Sequence, residues 1–497
     1  MIYINRMDFQ DISKQNPWWS NPSSISEDPK IRDFDSADVK WVPRIKKYIN
    51  LDLDVLYSVR GPRQVGKTTL VKNIIQEELK KRKSQDIFYY SCDLLNKPQE
   101  LAEIFEIYLK WSSQQSSERK LVFIDEISRV KNWEYAYKSI VDTYGLSGKT
   151  FILTGSSCWD IKHGVERLPG RKGEATGEQN HKILLPMKFA EYVQLRKPKI
   201  HETIEKLKLN DNPTRQKAFS ELTASNAAEW INPLLPYTDD LEALLDEYFI
   251  TGGIMTAVNQ YVKNNEIKNS TYELYLQLFF GDLAKLGRSE STAKKLLTAV
   301  FRFAPSPVGW TRIQRSMDIP QPVTVSEYAE VLKTLFVLNI YHAFDYNRTQ
   351  AKHRSDKKLQ IPNPFFFHAF RGHLENPAGD YYKQAIEYTM NGGKSLLAEF
   401  VTGDHLSRCA YNAHPTDIYD QSNSVFYAKT GSGGEIDFIL RLPDSILPVE
   451  VKYQNTINKH DYKSILKHPN GILVTKKTTD LRENHPAIPL PLFLLFI

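Results

Sequence analysis

Cysteine is scarce: Cys92, Cys158 and Cys409 are the only three in 497 residues. Odd in number, scattered and without the paired spacing of a metal knuckle, they exclude a disulfide framework and point to a reducing cytoplasm. Long hydrophobic runs are lacking too. The final apolar stretch, 488–497, is too short to span a bilayer and reads as a terminal strand or buried tail, so no membrane partner is expected. The amino end shows no signal-peptide core, because Met1-Ile2-Tyr3-Ile4-Asn5-Arg6 runs straight into polar residues. Strong charge of either sign is missing. Against 65 Lys and Arg stand 59 Asp and Glu, a net +6 that permits nucleic-acid contact without requiring it. Neither internal repeats nor low-complexity tracts occur. What remains is an ordinary globular composition, 41% hydrophobic and 25% charged, with material for about three domains.

The most informative stretch is Gly61-Pro62-Arg63-Gln64-Val65-Gly66-Lys67-Thr68-Thr69. An apolar run, Val55–Val59, precedes it and a helical pattern follows, the context that a phosphate-binding loop requires. The glycines let the backbone bend around a phosphate chain, and the helix N-terminus adds partial positive charge. Lys67 is placed to reach the β- and γ-phosphates of ATP, and Thr68 to ligate the accompanying Mg²⁺.

Leu121-Val122-Phe123-Ile124-Asp125-Glu126 is an apolar strand ending in two acids. Asp125 suits the Mg²⁺ shell, on a strand expected beside the loop, and Glu126 suits a general base for water, which favours hydrolysis over transfer to an acceptor. The next strand ends in Thr154-Gly155-Ser156-Ser157, where a hydroxyl can hold water or sense the γ-phosphate. Arg167 and Arg171, in a Pro-Gly break, are candidate arginine fingers. A finger offered in trans would imply a homo-oligomer.

In chain order, residues 1–50 form an N-terminal arm, read as extended over 8–38, whose Trp18-Trp19 pair docks onto a neighbouring surface or stacks on bases. Residues 51–200 alternate strands (Val55–Val59, Ile87–Ser91, Leu121–Ile124, Thr150–Leu153) with helices near 67–83, 98–112 and 132–144, a parallel α/β sheet. An insertion or linker occupies 201–240. Residues 241–345 are helical, and helices near 292–304, 311–317 and 325–335 before strand Phe336–Tyr341 suggest a winged helix that contacts DNA or packs against protein. Residues 346–358 read as a charged linker or exposed loop. A separate α/β domain closes the chain at 346–497, with helix Ser395–Leu406 and strands near 425–429, 435–441, 447–453 and 471–474.

The pieces R-G-P-R-Q-V-G-K-T-T-L, L-V-F-I-D-E-I, I-L-T-G-S-S, L-P-G-R and I-L-L-P-M-K-F-A-E-Y resemble the AAA-superfamily ATPases of archaea and bacteria that carry a C-terminal domain of unknown function. Y-F-I-T-G-G at 248–253, L-L-A-E-F-V at 396–401, G-E-I-D-F-I-L at 434–440 and P-V-E-V-K at 448–452 extend the resemblance past the ATPase core. The insertion at 201–240 departs from that family.

In P-V-E-V-K, Glu450 and Lys452 share a face of their strand, and Asp437 on the neighbouring strand can meet them. This trio resembles the PD-(D/E)xK nucleases, whose carboxylates hold Mg²⁺ while the lysine helps to activate water. Glu399 matches the further acid ligand of that fold. The expected architecture is therefore α/β: a P-loop NTPase of AAA type, a helical and winged-helix region, and a C-terminal restriction-endonuclease-like domain. Two functions stay open. One is an ATPase acting on nucleic acid with an Mg²⁺-dependent nuclease module; the other is an ATP-dependent switch whose C-terminal domain binds DNA or a protein without cleavage. A P-loop kinase is disfavoured by Glu126.

Overall fold

A computed structural model describes residues 8–155, 164–175, 179–413, 419–429, 434–442 and 445–497. The chain divides after Leu185 into two compact units, earlier than the expected domain end at 200.

The first unit is built on a five-stranded parallel sheet: β1 (Val55–Arg60), β2 (Ile87–Ser91), β3 (Lys120–Asp125), β4 (Lys149–Gly155) and β5 (His181–Ile183), in the order β2-β3-β4-β1-β5. β1 and β3 are buried at every position, as continuous apolar runs must be when helices cover both sheet faces. Helices Lys67–Glu78, Pro98–Gln115 and Trp133–Tyr144 connect the strands. Four strands match the sequence reading, whereas β5 is only three residues long and carried no recognisable signal. β4 runs between the loop strand β1 and the acid strand β3, so these two are not neighbours as expected.

The arm is helical rather than extended. Short turns at Phe9–Ser13, Pro17–Trp19, Pro22–Glu27 and Pro29–Ser36 carry it along β2. Trp18 and Trp19 are 1% and 9% exposed, and both indole N–H groups donate to Ile87 O, at 3.0 and 2.9 Å. Asn16 brackets Tyr89 like a strand partner, donating to its carbonyl at 2.9 Å and accepting from its amide at 2.7 Å. Gln15 accepts from the amide of Ser91 at 2.8 Å. The indoles are committed to packing, which removes the base-stacking alternative.

The second unit holds helices around a seven-stranded mixed sheet. Its strands are β6 (Asn339–Asp345), β7 (Gln350–Gln360), β8 (Val425–Lys429), β9 (Glu435–Arg441), β10 (Ile446–Lys452), β11 (Ile472–Thr475) and β12 (Ala487–Pro489), ordered β12-β11-β10-β9-β8-β6-β7. The insertion folds into helices Pro198–Lys206, Asn212–Glu221 and Ala227–Ile231. Helix Thr238–Thr251 ends at Gly252, whose φ of +56° is left-handed and where a Cβ would meet Asn363 Oδ1 at 2.2 Å; only glycine fits both demands. Helices Glu290–Phe303, Trp310–Met317 and Pro322–Thr334 precede the β6–β7 hairpin, as a winged helix would have it. The segment 346–358, expected as a linker, instead forms the turn and most of β7, and the hairpin joins the terminal sheet through the parallel pairing of β6 with β8. Helix Lys394–Ala413 packs against β8, β9 and β10, and the last residues, Leu490–Ile497, are buried. Among the described residues no helix is long and apolar enough to cross a membrane.

Candidate functional site

β1 delivers the chain into the loop at Gly61, where a Cβ would lie 1.9 Å from Leu184 O. Gln64 and Gly66 take left-handed φ values of 58° and 105°, which turn the backbone around a concave path. Gly66 caps the helix Lys67–Glu78 without a side chain, so the first amides of that helix face the loop. Within the stretch, Gly61, Pro62, Val65 and Lys67 are buried, Arg63, Gly66, Thr68 and Thr69 half-buried, and Gln64 exposed. The Lys67 ammonium donates to the carbonyls of Gly61 and Pro62, each at 2.9 Å. A phosphate oxygen is a stronger, charged acceptor than either carbonyl, so a bound triphosphate can draw this ammonium outward.

Asp125, 3% exposed at the tip of β3, gathers three hydroxyls. Thr68 Oγ1 donates to Oδ2 at 2.7 Å, Tyr89 Oη donates to Oδ2 at 3.1 Å, and Thr154 Oγ1 donates to Oδ1. Tyr89 was not anticipated, because a tyrosine inside an apolar strand reads as core. Burial, reinforced by the Asp125 carboxylate, pushes its phenol far up and fixes it as a donor. Thr154 is fully buried, and its oxygen also accepts from the amide of Glu126 at 3.4 Å. Ser156 and Ser157 lie outside the described residues. Glu126 itself takes φ 51° and ψ 39°. A non-glycine residue in that left-handed region stores roughly 1–3 kcal/mol, strain that concentrates at working sites.

Thr68 and Asp125 present hard oxygen donors side by side at the base of the loop, a set that fits Mg²⁺. Lys72, buried on the loop's helix, pairs with Asp28 of the arm at 3.1 Å and sits 3.4 Å from the Tyr89 ring centroid. Burial lowers its ammonium despite that carboxylate. The candidate fingers each hold a carboxylate of helix Trp133–Tyr144: Arg167 bonds Glu134 at 2.6 Å and Arg171 bonds Asp142 at 2.6 Å.

In the second unit the expected trio does converge. Asp437 Oδ2 accepts from the amide of Val451 at 2.9 Å, Glu450 Oε2 accepts from the amide of Asp437 at 3.4 Å, and Lys452 bonds Glu450 at 2.5 Å. Glu399 joins them, and so do three residues that sequence reasoning missed, Lys358, Gln360 and Glu435. Lys358, taken as part of an exposed charged run, is 1% exposed. Its ammonium lies 2.8 Å from Glu399, 2.7 Å from Glu435 and 3.0 Å from Asp437. Gln360 also donates to Glu399, at 3.0 Å. Burial, helped by the neighbouring carboxylates, raises Glu399 and Glu450 well above the usual carboxylate range, with the lysines opposing. Glu399 and Asp437 thus face an ammonium rather than an open cation position. Among the described residues no group of three or more His, Cys, Asp or Glu side chains is disposed to hold a metal ion.

Residues 54–193 match a family described as an AAA domain, and residues 401–493 match a domain of unknown function, DUF4143. An uncharacterized protein of Methanocaldococcus jannaschii is 23% identical over 355 residues, 68% of this chain and 67% of its own length. Among solved structures, a Walker-type ATPase of Pyrococcus abyssi is 15% identical, covering 64% of this chain and 91% of its own, with a TM-score of 0.35. The Aeropyrum pernix Orc1 protein, solved in complex with DNA, is 11% identical over 73% of this chain and 92% of its own, with a TM-score of 0.30. TM-scores this low do not define a common overall fold.

Proposed function

We propose that this chain, whose residues 54–193 match an AAA domain and which carries an AAA-type ATPase, binds Mg²⁺–ATP in the 61–69 loop, hydrolyses it in the cytoplasm, and uses the cycle to control its hold on nucleic acid. The observation that carries the ATPase reading is the convergence of Thr68, Tyr89 and Thr154 on Asp125. When bound, the metal neutralises charge developing on the phosphoryl oxygens. Lys67 leaves its two carbonyls for the β- and γ-phosphates. Thr68 and Asp125 hold the ion, Thr154 keeps Asp125 oriented, and Glu126 takes the proton of the attacking water. Arg167 or Arg171 supplies the finger, from the same chain or from a second copy in a homo-oligomer.

The nucleic-acid half rests on where charge stands in the winged helix. The third helix, Pro322–Thr334, exposes Val323, Glu327 and Glu330, the two acids already paired with Arg288 and Lys333, a face that offers phosphates no exposed basic side chain. The β6–β7 hairpin instead exposes Arg348, Lys352 and Arg354, and helix Trp310–Met317 exposes Arg312 and Arg315. An antiparallel bridge between Val308 and Lys357 ties that helix's entry to the hairpin. The hairpin therefore meets the phosphate backbone, a contact that positions without reading sequence. The second unit binds without cutting, because Lys358 fills the centre of its acids.

Salt-dependent binding of duplex DNA tests this half. Arg348→Glu combined with Lys352→Glu and Arg354→Glu should weaken affinity at every sequence and flatten the salt dependence. Unchanged affinity sinks the nucleic-acid reading and leaves the ATPase, tested by phosphate release, untouched. Plasmid cut in Mg²⁺ or Mn²⁺, and spared in Asp437→Ala, would restore the nuclease alternative.

A further inference from the structure

We infer that the acidic cluster of the second unit carries its own cation: the Lys358 ammonium stands where a divalent metal would otherwise sit. An ammonium has three N–H donors and no acceptor. Here three carboxylates, from Glu399, Glu435 and Asp437, lie between 2.7 and 3.0 Å from Nζ, so its hydrogen-bonding capacity is filled. The acids come from two elements, Glu399 from helix Lys394–Ala413 and both Glu435 and Asp437 from β9, while Lys358 comes from β7. The lysine therefore pins the helix, β9 and the β6–β7 hairpin at one point. On the far side of Asp437, Lys452 neutralises Glu450 at 2.5 Å.

Mg²⁺ requires oxygens at about 2.0–2.1 Å in near-octahedral array. Any ion that close to the oxygens now facing Nζ would also lie beside a buried ammonium, and two cations there repel without water to screen them. Removing the lysine reverses the balance. Four carboxylates (Glu399, Glu435, Asp437, Glu450) would then keep one bonded cation among the described residues, Lys452 on Glu450, and the vacated space would suit an oxygen-seeking ion. The sequence resemblance to a metal nuclease is thus of carboxylates without the metal.

Mn²⁺ titration of the nucleotide-free full-length chain, followed by calorimetry, tests this. The Asp125→Ala background removes the ATPase ion site. In that background, adding Asp437→Ala or Glu450→Gln should leave the Mn²⁺ isotherm unchanged. Adding Lys358→Met should create one Mn²⁺ site per chain, at least about tenfold tighter than anything in the parent, and Asp437→Ala should abolish it again. The inference is overturned if the Asp125→Ala parent already takes up Mn²⁺ at a site that Asp437→Ala or Glu450→Gln destroys. A folded Lys358→Met variant that gains no Mn²⁺ overturns it equally. Should Lys358→Met not fold, the parent compared with Glu450→Gln still decides.

Discussion

Thr68 and Asp125, 57 positions apart in sequence, meet hydroxyl to carboxylate at 2.7 Å. The bond joins the loop after β1 to the tip of β3 across the intervening β4, whose Thr154 braces the same carboxylate. Asp125→Asn keeps an oxygen for these hydroxyls and deletes the charge. Phosphate release should fall by about 10²-fold or more, with the thermal midpoint close to wild type. Tyr89→Phe removes one donor, should cost about 0.5–1.5 kcal/mol in denaturant unfolding, and should leave turnover within a few fold.

Lys67→Ala removes the ammonium that now rests on Gly61 and Pro62. ATP affinity, read by fluorescent-nucleotide displacement, should drop at least about tenfold, and turnover should vanish into background. Wild-type affinity and turnover in this variant would refute nucleotide binding at this loop.

Arg171 is held by a surface ion pair that contributes little to folding, whereas Arg167 reaches from the surface to a buried carboxylate, Glu134. Arg171→Ala should melt like the wild type and Arg167→Ala somewhat lower, because it takes a cation from buried Glu134, while one of the two loses most ATP turnover. If turnover falls only when chains are at working concentration and is rescued by mixing with a Lys67→Ala chain, the finger acts between copies. Full turnover in both variants removes both candidates.

Acidity should reveal the cluster around Lys358. Glu399 and Glu450 hold protons more tightly folded than unfolded. Each therefore loses stabilising effect as pH climbs from the ordinary carboxylate value of 4.5 through its raised range. Buried His368 and His405 are lowered from 6.5, so they act oppositely, weakening the fold as pH falls below that value. The reading is accordingly a difference: the urea midpoint of Glu399→Gln should decline less between mildly acidic and mildly alkaline pH than that of the wild type. Parallel curves would contradict the raised Glu399.

What the sequence made legible follows from burial. β1 and β3 are buried throughout and largely apolar at their centres because parallel strands are covered on both faces, and the glycine after β1 and the acids at the end of β3 marked their ends. β8 and β9 were placed at their observed limits, being rich in Val, Ile, Phe and Tyr, which favour strands. The arm was illegible as helix because turns of three to eight residues rich in Pro, Ser and Asp are too short to display a repeated amphipathic period. Lys358 was illegible for a different reason. A lysine inside Lys-His-Arg-Ser-Asp-Lys-Lys looks solvated, and only the acids brought to it by distant elements permit its burial. Tyr89 hid the same way, since its ring belongs to the core and only its oxygen to the site.

The arm's grip on β2 decides what can be cut from this protein. β2 ends the parallel sheet, and the backbone groups on its outer side are occupied by Gln15, Asn16, Trp18 and Trp19. A recombinant fragment starting at the AAA boundary, residue 54, would bare that strand and strip Lys72 of Asp28. An unprotected edge beside Phe88 and Tyr108 is a template for foreign strands, so such a fragment should precipitate or pair with itself where the longer protein stays dispersed.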